Sequence, residues 1–484
     1  MTPKPDEWKP TIAIGEVSAW YREVDVVIVG LGCAGAAAAI DATRAGAEVL
    51  VLERASGGGG TSANSGGVIY LGGGTAIQKE CGFEDSPEDM FRYLMAATGP
   101  APDEEKIRVF SEYSVEHFQW FVDQGVPFKA VFYPHYSGEP PTDDGLVYSG
   151  SENAYPFDEI ARPAPRGHVP QVPGQAGGLL MHKLMATVES SAAEIVTDAR
   201  CARLILDRSG AVQGVVARLD GEWHAIRARR GVVLCAGGFV NNKEMLGRHA
   251  PQLLSCKYRV GTTFDDGCGI RLGMAAGGET INMSYGSISL PIIPPKKLQK
   301  GILVNAQGAR FINEDAYYGR LGEYAVYRQD GRAYLILDAE TFDRPDVERE
   351  IAGVGESVEE LESELGLPQG SLQSTLALYN RHAERGADPV FHKSADYVVP
   401  LSHPPYGALD CTTAGSLYAV FTLGGLRTSV NGEVLSPLGE PVPGLYAAGR
   451  TTSGIAAPGY SSGLSIGDGT FFGRRAGLHA ARRR

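Results

Sequence analysis

The chain has 484 residues, 43% hydrophobic and 21% charged, a balance that suits two or three folded domains and excludes a disordered or collagen-like chain. Its 44 Lys and Arg against 57 Asp and Glu give a formal charge of −13, which argues against a nucleic-acid partner held through phosphates. The 63 glycines, about twice the usual share, cluster without a period and mark places where backbone must approach something closely.

Residues 1–22 are polar with three prolines and read as an irregular arm; the start MTPKPDEW has no charged-then-apolar signal sequence. Apolar runs such as Val24–Val29 and Val232–Ala236 are far too short to span a bilayer, so a cytoplasmic protein without a transmembrane segment is expected. The run from Val24 to Arg54 predicts one βαβ unit: a strand over Val24–Val29, a glycine turn, a helix over Ala34–Ala45 stopped by Gly46, and a strand ending at Glu53. A glycine-rich loop, ASGGGGTSANSGG, follows, then mixed-charge helices over 87–124 and Pro/Gly/Tyr-rich loops over 133–177. Residues 198–228 alternate around two glycine turns and predict an antiparallel meander, and Gly231–Phe239 predicts a further buried strand. Between 287 and 416 the composition shifts toward charged helical segments, Arg344–Leu365 and Ser371–Arg385, as expected for an inserted domain. The glycine-rich style resumes at Thr422 and ends in a helix over Ser465–Arg484. The expected division is therefore 1–286 and 417–484 as one discontinuous domain, with 287–416 inserted.

Gly30, Gly32 and Gly35 form GxGxxG between strand and helix, with Glu53 at the end of the next strand. Gly30 allows the tight turn, Gly32 admits a pyrophosphate to the helix N-terminus, and Gly35 lets helix and strand pack. Glu53 is placed to accept from a ribose, and its charge favours an unphosphorylated one, although Arg54 stands beside it. The alternative reading, a merely close-packed helix, leaves Glu53 unexplained. Seven cysteines without a CxxC pair are expected reduced and mostly buried, and ten histidines without HxxxH or HExxH spacing give no metal site. His168 and His403 read as loop hydrogen-bonders, Asp265 and Asp266 as caps of a helix starting near Gly267, and Phe128–Tyr136 as core or as part of an apolar slot.

Six blocks carry a resemblance: VGLGCAGAAAAIDATRAGAEVLVLER, GGTSANSGGV, GVVLCAGGF, DDGCGIRLGMAAGG, RFINED and GLYAAGR with the glycine-rich helix start after it. In their order and spacing the chain resembles the fumarate reductase and succinate dehydrogenase flavoprotein family. The resemblance implies an α/β fold, a Rossmann-like FAD-binding domain with an inserted α+β capping domain. It also implies FAD, along Thr61, Ser62, Ser65, Gly66 and Gly67 and near Gly449, Gly463, Leu464 and Ser465, with Ala34, Arg54, Gly60, Ala202, Ala236, Gly237 and Asp266 in the same binding set. Members with covalent flavin carry a histidine where this chain has Gly60, so non-covalent FAD is expected.

The carboxylate-clamping arginine of the family's C-terminal glycine segment is replaced in APGYSSGLSIGDG by Tyr460 and Ser462, and an uncharged hydroxyl suits a ketone better than a carboxylate. Within the family this resembles the 3-ketosteroid dehydrogenases, most closely the subgroup that forms a C4–C5 double bond in 3-oxo-5α-steroids. The resemblance implies a 3-ketosteroid substrate with Tyr460 donating to the C3 oxygen and Ser462 taking the C4 proton, while an electron acceptor the sequence does not identify completes the cycle. It also implies a tyrosine relay from NEDAYYGR, Tyr317 being favoured and Tyr318 the alternative. Packing tyrosines and a helix-capping serine are the bland readings of these residues. Beside this function stand the C1–C2 subgroup, a reductase of a conjugated acid of the fumarate or urocanate kind, and a non-catalytic flavin- or steroid-binding protein.

Overall fold

The computed structural model describes residues 9–135, 139–347 and 349–483. Strand β1 (Thr11–Ala13) precedes the βαβ unit of β2 (Arg22–Val29), α1 (Cys33–Arg44) and β3 (Val49–Leu52). Later strands β4 (Glu194–Val196), β5 (Arg200–Leu206), β6 (Val212–Leu219) and β7 (Glu222–Leu234) join them in the order β1-β5-β6-β7-β2-β3-β4. The β-branched run of β2 lies between parallel neighbours β3 and β7, with Val24, Val26, Val27 and Ile28 fully buried.

The N-terminal stretch expected to be irregular holds a strand. Residues 1–8 lie outside the described ones, and Thr11–Ala13 pairs in parallel with Leu204–Leu206. The meander forms as expected, but its last strand and the strand expected over Gly231–Phe239 are one element. β7 pairs antiparallel with β6 through Arg227 and in parallel with β2 from Ile226 to Leu234, the second pairing being bulged between Ala228 and Gly231. One long strand thus serves both meander and parallel core. The 133–177 loops contain two short strands, Leu146–Val147 and Gly167–His168, and a turn of helix, Phe157–Ile160.

A second sheet, of antiparallel order β8-β9-β11-β10, uses β8 (Ile302–Asn305), β9 (Ala333–Leu337), β10 (Ile351–Gly355) and β11 (Tyr406–Asp410). Helix α2 (Tyr318–Arg328) lies between β8 and β9 in the chain, and α3 (Val358–Glu364) and α4 (Ser371–Ala383) follow β10. The helix expected over Arg344–Leu365 is therefore only its C-terminal part; Glu348 is outside the described residues. Gly353, Val354 and Gly355 resist helix and pair with β11, a tertiary choice that outweighs the charged flanks. A buried core beside this sheet runs from Phe239 through Ile270 to Val420, so residues before 287 pack with the segment that follows.

The chain returns through β12 (Pro441–Ala447), parallel to β7, and ends in α5 (Leu464–Arg482); the expected last residue, Arg484, is outside the described ones. α5 packs on α1 so closely that a Cβ at Gly477 would stand 2.2 Å from the Ala38 carbonyl oxygen. Among the described residues no helix is long and apolar enough to cross a membrane.

Candidate active site

A cavity of about 540 Å³ runs from the β2–α1 turn to the start of α5. At the first end Gly30 has φ +100°, and a Cβ on Gly35 would stand 1.9 Å from the Gly30 carbonyl oxygen. Gly32 is the N-cap of α1 and offers no side-chain acceptor; among the first-turn N–H groups that of Cys33 donates to Ser62 Oγ at 3.3 Å. This helix end is a ready anion cradle. Glu53 at the end of β3 is anchored twice, Oε2 accepting from the Leu31 N–H (2.7 Å) and Oε1 from the Ala55 N–H (2.8 Å). Each carboxylate oxygen keeps a further lone pair for a ligand hydroxyl.

Midway, Asp265 ties four segments together. It accepts from Thr61 Oγ1 (2.5 Å), from the Gly238 N–H (3.0 Å) and from Arg450 Nη2 (3.0 and 3.1 Å). Its expected capping role is therefore absent, because those donors take its carboxylate. Asp266 does accept the Cys268 N–H (3.0 Å), beside Gly267 as N-cap, and it pairs with Arg54 (2.6 Å). Arg450 Nη1 is buried at the cavity wall without a partner among the described residues. Arg450 and Asp265 were missed as site residues although both stand in the blocks GLYAAGR and DDGCG; their partnership spans 185 positions and leaves no local signal.

At the far end, Tyr460 OH lines the cavity, accepts from the Gly463 and Ser465 N–H groups, both at 3.3 Å, and lies against the Ser465 side chain. Ser462 Oγ meets Tyr317 OH at 2.7 Å and Tyr318 OH at 2.9 Å, and the two rings stand 4.3 Å apart. Gly463, not Ser462, is the N-cap of α5, so the capping reading of Ser462 fails. Burial pushes the Tyr317 phenol well above its ordinary range and raises those of Tyr318 and Tyr460, whose hydrogen bonds oppose the shift. All three are neutral donors at neutral pH.

Of the expected cofactor residues, Gly30, Gly32, Ala34, Glu53, Arg54, Gly60, Thr61, Ser62, Ser65, Gly66, Gly67, Ala236, Gly237, Gly449, Gly463 and Ser465 line this cavity. Gly35, Ala202, Asp266 and Leu464 do not; Gly35 acts in packing, and Cys201 rather than Ala202 reaches the wall. Phe128 packs on Phe118, whereas Phe132 and Tyr133 line a separate cavity; Tyr136 is outside the described residues. His168 is a buried strand residue bonded to Thr75 Oγ1 (2.7 Å). Among the described residues no group of three or more His, Cys, Asp or Glu is arranged to hold a metal.

A glycine-lined helix N-terminus, an anchored acid and a buried arginine atom without a partner fit an extended dinucleotide. Residues 25–464 match the family model described as FAD binding domain. The chain belongs to this FAD-binding flavoprotein family. The flavoprotein is 47% identical to the 3-ketosteroid-Δ4-(5α)-dehydrogenase of Rhodococcus jostii, solved with 4-androstene-3,17-dione, over 98% of this chain and 100% of that one, with TM-score 0.93. It is 30% identical to 3-oxo-5-alpha-steroid 4-dehydrogenase of Comamonas testosteroni, covering 89% of this chain and 93% of the relative. To urocanate reductase of Eggerthella lenta it is 28% identical, over 95% of this chain and 75% of that protein. It is an FAD-dependent oxidoreductase.

Proposed function

We propose that this flavoprotein introduces a C4–C5 double bond into 3-oxo-5α-steroids. The observation that carries the reading is the uncharged hydroxyl cluster Tyr460, Ser462, Tyr317 and Tyr318 in the cavity. Arg54 is ion-paired with Asp266 and Arg450 with Asp265, and the one open arginine atom, Arg450 Nη1, is the one that fits the dinucleotide, so a ketone suits the site better than a carboxylate. The relatives named for this reaction support the same choice.

In this reading Tyr460 donates to the C3 oxygen and stabilises the enolate that forms as C4 loses its proton. Ser462 takes that proton and passes its own to a tyrosine. In this reading Tyr318, half-buried in the cavity wall, is the tyrosine that sends the proton on toward solvent, while Tyr317, only 2% exposed, holds Ser462 in place. FAD, when bound, would supply the two-electron acceptor for the hydride that leaves C5. Residues 1–286 and 417–484 would hold it, and 287–416, which supplies both relay tyrosines, would cap it. Gly60, standing where covalent members carry a histidine, has no side chain to bond the flavin, which supports non-covalent binding: acid should release all the flavin, and colour left on the precipitated chain would refute this.

The test of the function is regiochemical. Incubated with an electron acceptor, a 5α-3-ketosteroid should give the 4-ene, while the 5β epimer, whose C5 hydrogen lies on the opposite face, should react poorly. A 1-ene product identified by NMR, or equal turnover of the epimers, would overturn the assignment.

A further inference from the structure

The buried loop Ser149–Glu152 packs against the hydroxyl cluster and holds both of its halves. The Ser149 carbonyl oxygen accepts from the Ser462 N–H (2.7 Å), and Ser151 Oγ accepts from the Tyr317 N–H (3.1 Å). Tyr93 OH accepts from the Ser151 N–H and shares a hydrogen bond with Ser461 Oγ, each at 2.9 Å. Glu152 closes the loop on itself, Oε2 accepting from the Gly150 N–H at 2.8 Å.

Glu152 is 1% exposed, and its Oε1 has no hydrogen-bond partner among the described residues. The same holds for Arg166 Nη1, Tyr70 OH and Ser149 Oγ. Arg166 is itself fully buried and paired through its other nitrogens with Asp85 (2.7 and 3.0 Å). The charged and titratable groups around Glu152 are thus Arg166, Asp85, Tyr70, Tyr93 and Tyr148. The Glu152 carboxyl faces the Tyr70 hydroxyl, and that hydroxyl faces the Arg166 guanidinium, so these buried polar groups meet one another. Burial pushes the Glu152 carboxyl up to about 7 in spite of Arg166, so its charge changes near neutrality.

We propose that Glu152, with Arg166 and Tyr70 against it, is a positioning residue: by closing the loop on the Gly150 N–H, its carboxyl sets how the loop Ser149–Glu152 holds Ser462 and Tyr317. The turnover arm of its test rests on the steroid reaction proposed above; the spectroscopic arm does not. Glu152→Gln keeps an acceptor for the Gly150 N–H but cannot ionise.

In the full-length, FAD-loaded enzyme, infrared difference spectra taken through neutrality should show a carboxylic-acid carbonyl band in the wild type that Glu152→Gln lacks. With a 5α-3-ketosteroid, kcat of the wild type should inflect near neutrality. Glu152→Gln should lose that inflection and about tenfold in kcat, with KM and flavin content within about twofold of wild type. Glu152→Asp should restore the inflection, as a purely space-filling role would not require. Tyr93→Phe, which retains the ring but cuts the link from Ser151 to Ser461, should lower kcat by about tenfold at unchanged KM. Identical infrared differences, superimposable pH profiles or a wild-type kcat in Tyr93→Phe would each overturn the proposal. A wild type inert toward 5α-3-ketosteroids would instead refute the function proposed above, and the infrared arm would then decide this inference.

Discussion

Tyr460 is held by its oxygen. Two backbone N–H groups at the start of α5 donate to it, and in the proposed reaction its hydroxyl proton is what the ketone would receive. Removing it with Tyr460→Phe should lower kcat by about 10²-fold with a smaller effect on binding, the usual scale for losing one donor to a developing oxyanion. Single-turnover flavin reduction measures this, and a wild-type rate would remove Tyr460 from the mechanism. The tyrosine pair can be separated in the same assay. Both hydroxyls reach Ser462, so contact alone does not rank them. Tyr318→Phe should match the loss of Ser462→Ala if the proton leaves through it, and Tyr317→Phe should retain more activity. The reverse order would return the relay to Tyr317, the residue favoured on resemblance alone.

At the scale of elements, the β2–α1–β3 unit presents a helix N-terminus without a side-chain cap and sets Glu53 beside it. Because Glu53 braces Leu31 and Ala55 as well as facing the cavity, Glu53→Ala removes a ligand acceptor and loosens the glycine turn together. FAD affinity should fall by about 1.5–3 kcal/mol, read by fluorescence titration of the apoprotein; an unchanged Kd would end the ribose role. This unit was legible in the sequence because its signals are local: a β-branched run, glycines at fixed offsets, a stop at Gly46. The joint made by Asp265, Thr61 and Arg450 was not, since its members come from distant segments and Asp265 beside Gly267 has the local look of a cap. Strand β10 was hidden for a related reason. Its charged surroundings suggested helix, and only the neighbouring β11 selects the extended form. The hydroxyl cluster was legible through resemblance, whereas the loop Ser149–Glu152 that braces it carried no motif.

Across the whole molecule, that loop lies where three distant stretches of chain meet: Tyr93 before it, Tyr317 from the segment between β8 and α2, and Ser461–Ser462 ahead of α5. An ionisable group buried at such a junction links pH to the stability of the assembled fold. Glu152 has a folded-state value of about 7, above its ordinary 4.5, so the native state holds the proton more tightly than the unfolded chain does. Between these values the unfolded state binds fewer protons, and stability falls as pH rises. The effect is absent below about 4.5, accumulates up to about 7, and is constant above that. Its full size is on the order of 3 kcal/mol for a group buried this deeply. Glu152→Gln has no proton to lose, so it cancels this slope while leaving the titrations of other groups in place. Denaturant unfolding of wild type and Glu152→Gln, followed at a series of pH values, should therefore give a difference that moves in favour of the variant through that window and levels off beyond it. A difference that does not change with pH would mean that Glu152 binds its proton equally in the folded and the unfolded chain, and that the junction is held by packing and hydrogen bonds alone.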